Sequence, residues 1–211
     1  MRTLLTLLTT IFVLTACSDD DDTALPPYVN TLAEIATSAE GKAAFITPDG
    51  GEQYAISSDH SGLTHDSIYR VQVLALFNED HTAYLQQIKS VLSPLPREVS
   101  EEKRKYHPVD VLALWSSKRY INMRLALHTA TEPHAFAFVE EGTDILDDGT
   151  RRLRLHLYHD RGANPEYYTR EVYISCPIYQ YQDQLREGQD SIIFSITTYQ
   201  AEQALHLLYG Q

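Results

Sequence analysis

The chain has 211 residues, with 17 Lys and Arg against 29 Asp and Glu, for a formal net charge of −12. That balance excludes nucleic acid as a natural partner, because such binding rests on clustered Lys and Arg that neutralise phosphates. Two cysteines, Cys17 and Cys176, and 14 tyrosines complete the unusual features of the composition.

The N-terminus is predicted to be an export signal. Arg2 is followed by an apolar stretch from Leu4 to Leu14. This stretch falls short of the roughly 20 apolar residues that a membrane-spanning helix needs, so residues 1–16 read as a signal peptide. Leu14-Thr15-Ala16-Cys17 resembles the bacterial lipobox, which implies lipidation of the Cys17 thiol and cleavage after Ala16. Two or three acyl chains hold a protein on a bilayer where one chain binds only marginally. The anchor therefore makes the membrane the one partner implied directly.

Ser18, Asp19, Asp20, Asp21 and Asp22 follow at once. A run of like charge cannot collapse on itself, and residues 17–26 read as an acidic tether. The run also resembles the export signal of surface lipoproteins in Bacteroidetes-type bacteria, which implies an outer-membrane, cell-surface location. Once Cys17 is lipidated Cys176 has no partner, so the fold is held by its core, with Cys176 as a small buried hydrophobe.

The remaining chain, about 185 residues, suits one large or two small domains. Residues 27–92 read as five short strands: Tyr28 to Thr37, Ala43 to Thr47, Gln53 to Ser57 across the turn Pro48-Asp49-Gly50-Gly51, Ser67 to Phe77, and Tyr84 to Leu92. Five strands in so short a stretch favour a closed barrel, because closure removes exposed edges. Residues 93–108 contain prolines 94, 96 and 108 and the charged run from Arg97 to Lys105. Such composition reads as a linker or long surface loop.

In residues 109–211 the period-two pattern is clearer. Ile121, Met123, Leu125 and Leu127 alternate with Asn122, Arg124, Ala126 and His128, and Leu153, Leu155 and Leu157 alternate with Arg152, Arg154, His156 and Tyr158. Further strands are expected at Val109 to Trp115, His134 to Glu140, Tyr167 to Ser175 and Ser191 to Tyr199. Ala201 to Tyr209 reads as a short helix or a last strand. Together these predict an all-β chain, an OB-like five-stranded barrel followed by an antiparallel β-sandwich.

Pro108-Val109-Asp110-Val111-Leu112-Ala113-Leu114-Trp115, then Tyr120-Ile121-Asn122, and Leu155-His156-Leu157-Tyr158-His159-Asp160 leading into Glu166-Tyr167-Tyr168, carry a resemblance to the NigD-like lipoproteins of Bacteroidetes. The resemblance covers nearly the whole chain after the signal, and the proline-rich charged segment departs from it. It implies an OB-type barrel followed by a β-sandwich. It implies little chemistry, since the family name comes from a gene beside a bacteriocin gene and a proposed immunity role.

Residue chemistry points to binding rather than catalysis. His156, His159 and Asp160, with Glu166 nearby, form the best candidate metal or hydrolase cluster. However, positions three apart on a strand face opposite ways, so His156 is expected on a solvated face and His159-Asp160 at a turn containing Gly162. His60 and His65 flank Gly62 without a supporting Glu or Cys. No phosphate loop, GxSxG or HExxH occurs, and no cofactor is implied. Tyr158, His159, Tyr167 and Tyr168 form a candidate ligand surface, because tyrosine offers a flat apolar face and a hydroxyl to a protein or glycan. Crowded tyrosines are also common in half-buried strands. The expectation is a non-catalytic, lipid-anchored binding or immunity-like protein. A carbohydrate-binding accessory role is the alternative, and a hydrolase on His159 and Asp160 a distant third.

Overall fold

The structure, a computed structural model, describes residues 27–130, 132–163 and 165–211. The signal, Cys17 and the acidic run Ser18 to Asp22 lie outside the described residues. All the long elements are strands.

Five strands close the first domain: β1 (Val29–Thr37), β2 (Ala43–Pro48), β3 (Tyr54–Ile56), β4 (Ile68–Phe77) and β5 (Thr82–Ser90), in the order β1-β2-β3-β5-β4 with β4 returning to β1. This is the OB-like barrel expected. Alternation explains the interior, since Val71, Val73 and Ala75 of β4 and Ala33 and Ile35 of β1 point inward with Ile46 and Leu85. Ala33, Ala43, Ala75 and Ala83 are all within the core, and small side chains are what a five-stranded barrel has room for. Register shifts between Ala36 and Thr37 and between Leu74 and Ala75 supply the bends that closure demands.

Gly41, with φ of +70°, lets the loop between β3 and β4 fold back on the barrel. A Cβ there would sit 2.5 Å from the Leu63 carbonyl oxygen. Left-handed backbone and that contact act together, so Gly41→Ala is expected to lower stability by about 2 kcal/mol or more, read as a shifted urea midpoint.

The second domain packs two sheets. One has the order β10-β7-β6, from β6 (Asp110–Ser117), β7 (Tyr120–Thr129) and β10 (Tyr168–Pro177); the other has the order β12-β11-β9-β8, from β8 (Ala135–Ile145), β9 (Arg151–Asp160), β11 (Ser191–Thr197) and β12 (Glu202–Leu208). Ala201 to Tyr209 is thus resolved as strand: β12 pairs with β11 from Glu202 to Leu208. Between the sheets lie Ile121, Met123, Leu125, Phe138, Leu153, Leu155, Leu157, Ile174, Phe194 and fully buried Cys176. Burial holds the Cys176 thiol protonated, its pKa well above the usual range.

Residues 93–108, read from composition as a linker, run with Leu92 and Val109 along the sandwich as a strap spanning residues 92–109. Leu92 bridges Ile174 on the outer edge of β10, and Arg97 bridges Val139 on the outer edge of β8. Further on, Tyr106 bridges His159 and Val109 bridges Thr198, filling the space where β9 and β11 diverge beyond the Ser195–His156 pair. Unpaired sheet edges are templates for aggregation, and the strap covers parts of two of them. Prolines 94, 96 and 108 suit this path, because a strap needs few ladder hydrogen bonds of its own.

A polar knot joins the two domains. Arg70, on the outer face of β4, donates from Nη1 and Nη2 to the two Asp49 carboxylate oxygens at 2.6 Å each, from Nη2 to Asn122 Oδ1 at 2.9 Å and from Nε to Ser175 Oγ at 3.0 Å. Asn122 returns a bond to Asp49 at 2.8 Å, and Ser175 donates to Asn122 Oδ1 at 2.8 Å. The guanidinium also lies 4.0 Å above the ring of Tyr120, whose hydroxyl donates to Glu34 at 2.5 Å. Asn122 and Ser175 are 0% exposed, so at Asn122 β7 is buried on both faces, core on one and barrel on the other, while further along the same face Arg124 and His128 reach the surface.

Candidate binding surface

Where the strap crosses the open side of the sandwich it leaves a groove of about 870 Å³. The groove is lined by Gln72 and Lys89 to Leu92 from the barrel side, by Arg170 to Ile174 of β10, and by Phe136 of β8. Phe136 and Val172 pack partly against the sandwich core, and Leu92 is 48% exposed, so the floor is apolar. The rim is charged. Glu171 is engaged by Arg124 at 2.7 Å, whereas Lys89 and Arg170 have no ion-pair partner among the described residues.

The backbone of β10 matters as much. Ser175 N–H donates to Leu92, on the side of the strand away from β7. Alternation then turns the peptide groups of Thr169, Glu171 and Tyr173 to the same outer edge, which has no neighbouring strand. Phe136 stands likewise on β8, two residues before Phe138, whose carbonyl accepts from Arg97. The sandwich is therefore open between two strand edges over the length of the groove.

Of the aromatic surface expected from sequence, Tyr167 and Tyr168 are 80% and 55% exposed, and the Tyr168 hydroxyl donates to the Ala130 carbonyl. Tyr158 is half-buried. His159 corrects the expectation, for it is only 2% exposed. It shares the parity of Leu153, Leu155 and Leu157 and so faces inward with them. His156 is corrected as well. It faces the other way, but the strap covers that face: Tyr106 stacks on its ring at 3.8 Å, leaving His156 5% exposed. Tyr106 is itself partly desolvated there and its hydroxyl is pushed up to about 12.

The histidines do form a chain, though with a different partner. His159 Nδ1 donates to the His107 carbonyl at 2.8 Å, which leaves Nε2 as acceptor for His134 Nδ1 at 2.8 Å. His107 Nδ1 accepts the Arg161 amide, so although it lies 3.5 Å from Asp160, the cation paired with Asp160 is Lys105 at 2.6 Å. Asp160 also accepts the Gly162 amide at 2.9 Å, the turn chemistry expected of it. Burial holds His159 at about 4 and keeps His134 and His156 below their ordinary values. Both nitrogens of His159 are spent, on His107 and His134, and His156 Nε2 lies 3.3 Å from Thr197 Oγ1, while His134 Nε2 is buried without a partner; no three His, Cys, Asp or Glu side chains converge as a metal would need among the described residues. His60 bonds to Ser58 Oγ and the Leu85 carbonyl, and His65 to the Ala39 carbonyl.

Lys89, Arg170, His107 and His134 were not expected as site or network residues. For Arg170 a signal existed: a charged residue in line with Val172 and Ile174, on the core-facing side of a strand.

A closed five-stranded barrel strapped to a two-sheet sandwich, without an assembled reaction centre among the described residues, defines a class of two-domain all-β proteins. The NigD-like C-terminal beta sandwich domain matches residues 92–209, and the chain belongs to that family. The matched segment begins at the first residue of the strap. Comparison with curated proteins gives no match. Among solved structures, the chain is similar to a NigD-like immunity protein from Bacteroides caccae, at 27% identity and a TM-score of 0.66, covering 86% of this chain and 92% of that one. It shares its fold with a protein of unknown function from Bacteroides vulgatus, at 15% identity and a TM-score of 0.70, covering 87% and 92%. A candidate lipoprotein from Bacteroides fragilis has the same fold at 12% identity and a TM-score of 0.60, covering 86% and 98%.

Proposed function

We propose that this chain is a lipid-anchored outer-membrane protein, displayed on the cell surface, that binds a protein partner in the protective manner of an immunity protein and performs no chemistry on it. The observation that carries the reading is the likeness, over most of both chains, to the Bacteroides caccae immunity protein. The Cys17 lipobox supplies the anchor and the acid run Asp19 to Asp22 the sorting signal. Cells lacking the chain should lose growth in bacteriocin-containing supernatants of related strains, and regain it when the chain is restored. Unchanged growth in its absence would end the protective reading.

The anchor has its own test. Cys17→Ala is expected to abolish incorporation of labelled palmitate and to release the protein from membranes, since its attachment rests on acyl burial at roughly 0.8 kcal/mol per CH2. Replacing Asp19 to Asp22 by alanine should keep the label but remove sensitivity to protease added to intact cells. A second reading, a glycan-binding accessory role, is favoured only by the exposed rings of Tyr167 and Tyr168. Under it, Tyr167→Ala with Tyr168→Ala would abolish retention on a surface polysaccharide column and leave growth protection intact.

A further inference from the structure

We propose that the open side of the sandwich binds an extended acidic segment of the partner as an added β-strand, seated against β10 in the groove between β10 and β8. The inference rests on the protein-binding reading above and assigns it a place and a mode.

Three observations converge on it. First, the outer edge of β10 presents the peptide groups of Thr169 and Glu171 and the Tyr173 N–H with no strand beside them, up to where Leu92 bridges Ile174. An extended chain takes up such groups as a new ladder, in the mode of β-strand addition. Second, the strap already occupies that lane further along, at Leu92 beside Ile174 and at Arg97 beside Val139. The lane therefore has the right spacing for a strand, and an incoming segment would continue where the strap leaves off. Third, the apolar floor of Phe136, Val172 and Leu92 meets one set of alternate side chains of such a strand, with Arg170 in line with Val172 at its edge, while Lys89 approaches from the barrel side. In a chain of net charge −12, two unpaired cations on the rim of one groove favour an acidic segment and repel a basic one.

The test uses the full mature chain and three blocked octapeptides: alternating Glu and Val, alternating Lys and Val, and the Glu-Val peptide with alternate backbone nitrogens methylated. The Glu-Val peptide should bind saturably and slow hydrogen exchange at the Thr169, Glu171 and Tyr173 amides at least tenfold. The Lys-Val and methylated peptides should not. Lys89→Glu combined with Arg170→Glu should weaken Glu-Val binding at least tenfold while leaving the fold intact by circular dichroism. Binding that leaves those three amides unprotected, or that survives both charge reversals, overturns the proposal. So does sedimentation showing that a second copy of the chain occupies this edge. Growth protection lost on deletion but fully restored by the double charge-reversal variant would overturn the groove and leave the protective reading standing.

Discussion

Replacing Arg70 with methionine is expected to lower the stability of the protein by about 3–5 kcal/mol, the cost of removing one partner from a buried ion pair. The Arg70 side chain is 3% exposed and its partner Asp49 17%. Methionine keeps the approximate volume of the stem but leaves the Asp49 carboxylate with Asn122 as its one remaining partner in this network, and leaves Ser175 Oγ and Asn122 Oδ1 each short of a donor. Against a usual net stability of about 5–15 kcal/mol, such a loss is large. Its location gives it a second consequence. The Arg70 knot ties β4 of the barrel to β7 and β10 of the sandwich, so the two domains of the native chain should unfold together. In the variant they should unfold apart. The single tryptophan, Trp115, lies on β6 and reports on the sandwich, whereas far-ultraviolet circular dichroism reports on both domains. Coincident urea transitions in the native chain and separated ones in Arg70→Met are the expected result. Coincident transitions in both would show that the strap and the Leu92 bridge, not the polar knot, couple the domains. A double-mutant cycle with Asp49→Leu measures the pair itself. Replacing both partners by apolar groups should recover much of the loss, because the surviving residues no longer bury an uncompensated charge.

Alternation made most of the fold legible. Val71, Val73 and Ala75 in β4, or Leu153, Leu155 and Leu157 in β9, place a core face without reference to anything distant. The helix-or-strand ambiguity of Ala201 to Tyr209 had a local cause, since a short apolar run fits either period. It was resolved by β11, an edge that only the folded sheet provides.

What alternation could not show was a second cover over a face that looks solvated. Arg70, Asn122, Ser175 and His156 occupy the polar positions of amphipathic strands, and in isolation that pattern means water. Here the sandwich covers Arg70, the barrel covers Asn122 and Ser175, and the strap covers His156. Arg70 and Ser175 are 105 residues apart, and no local spacing connects them. The strap was illegible for a related reason. Proline and charge do make a poor strand, yet a segment that only bridges existing edges needs a handful of hydrogen bonds and can have that composition. His159 was the readable exception, because its odd-numbered parity with the three leucines already placed it inside. The candidate groove drew only on Tyr173 from the tyrosine-rich region. Its cations come from two domains, and its free edge follows from strand order.

The histidine chain makes the protein's stability depend on pH in a window where carboxylates contribute little. His159 is fixed as Nδ1–H by the His107 carbonyl, so a second proton must go on Nε2, against the His134 N–H that already points there. Burial and this geometry lower its pKa from 6.5 to about 4. The unfolded chain therefore takes up the proton first on acidification. The contribution of His159 is complete above pH 6.5 and is lost as pH falls from 6.5 towards 4. Stability at about pH 5 should then lie about 2 kcal/mol below its value at about pH 7.5 from this residue alone. His134 and His156 are lowered too and act in the same direction. Asp160 and Asp190 are held below the ordinary carboxylate range, by Lys105 and by Arg186 respectively, so their losses come at lower pH. His159→Gln should be less stable than the native chain near neutrality, because the His134 N–H and the His107 carbonyl lose a well-placed partner. It should also have a flatter stability profile between about pH 7.5 and pH 5, and that flattening separates titration from simple loss of packing. An equal slope in the native and variant chains, measured by urea unfolding at both pH values, would mean that His159 titrates no differently in the folded protein than in the unfolded chain.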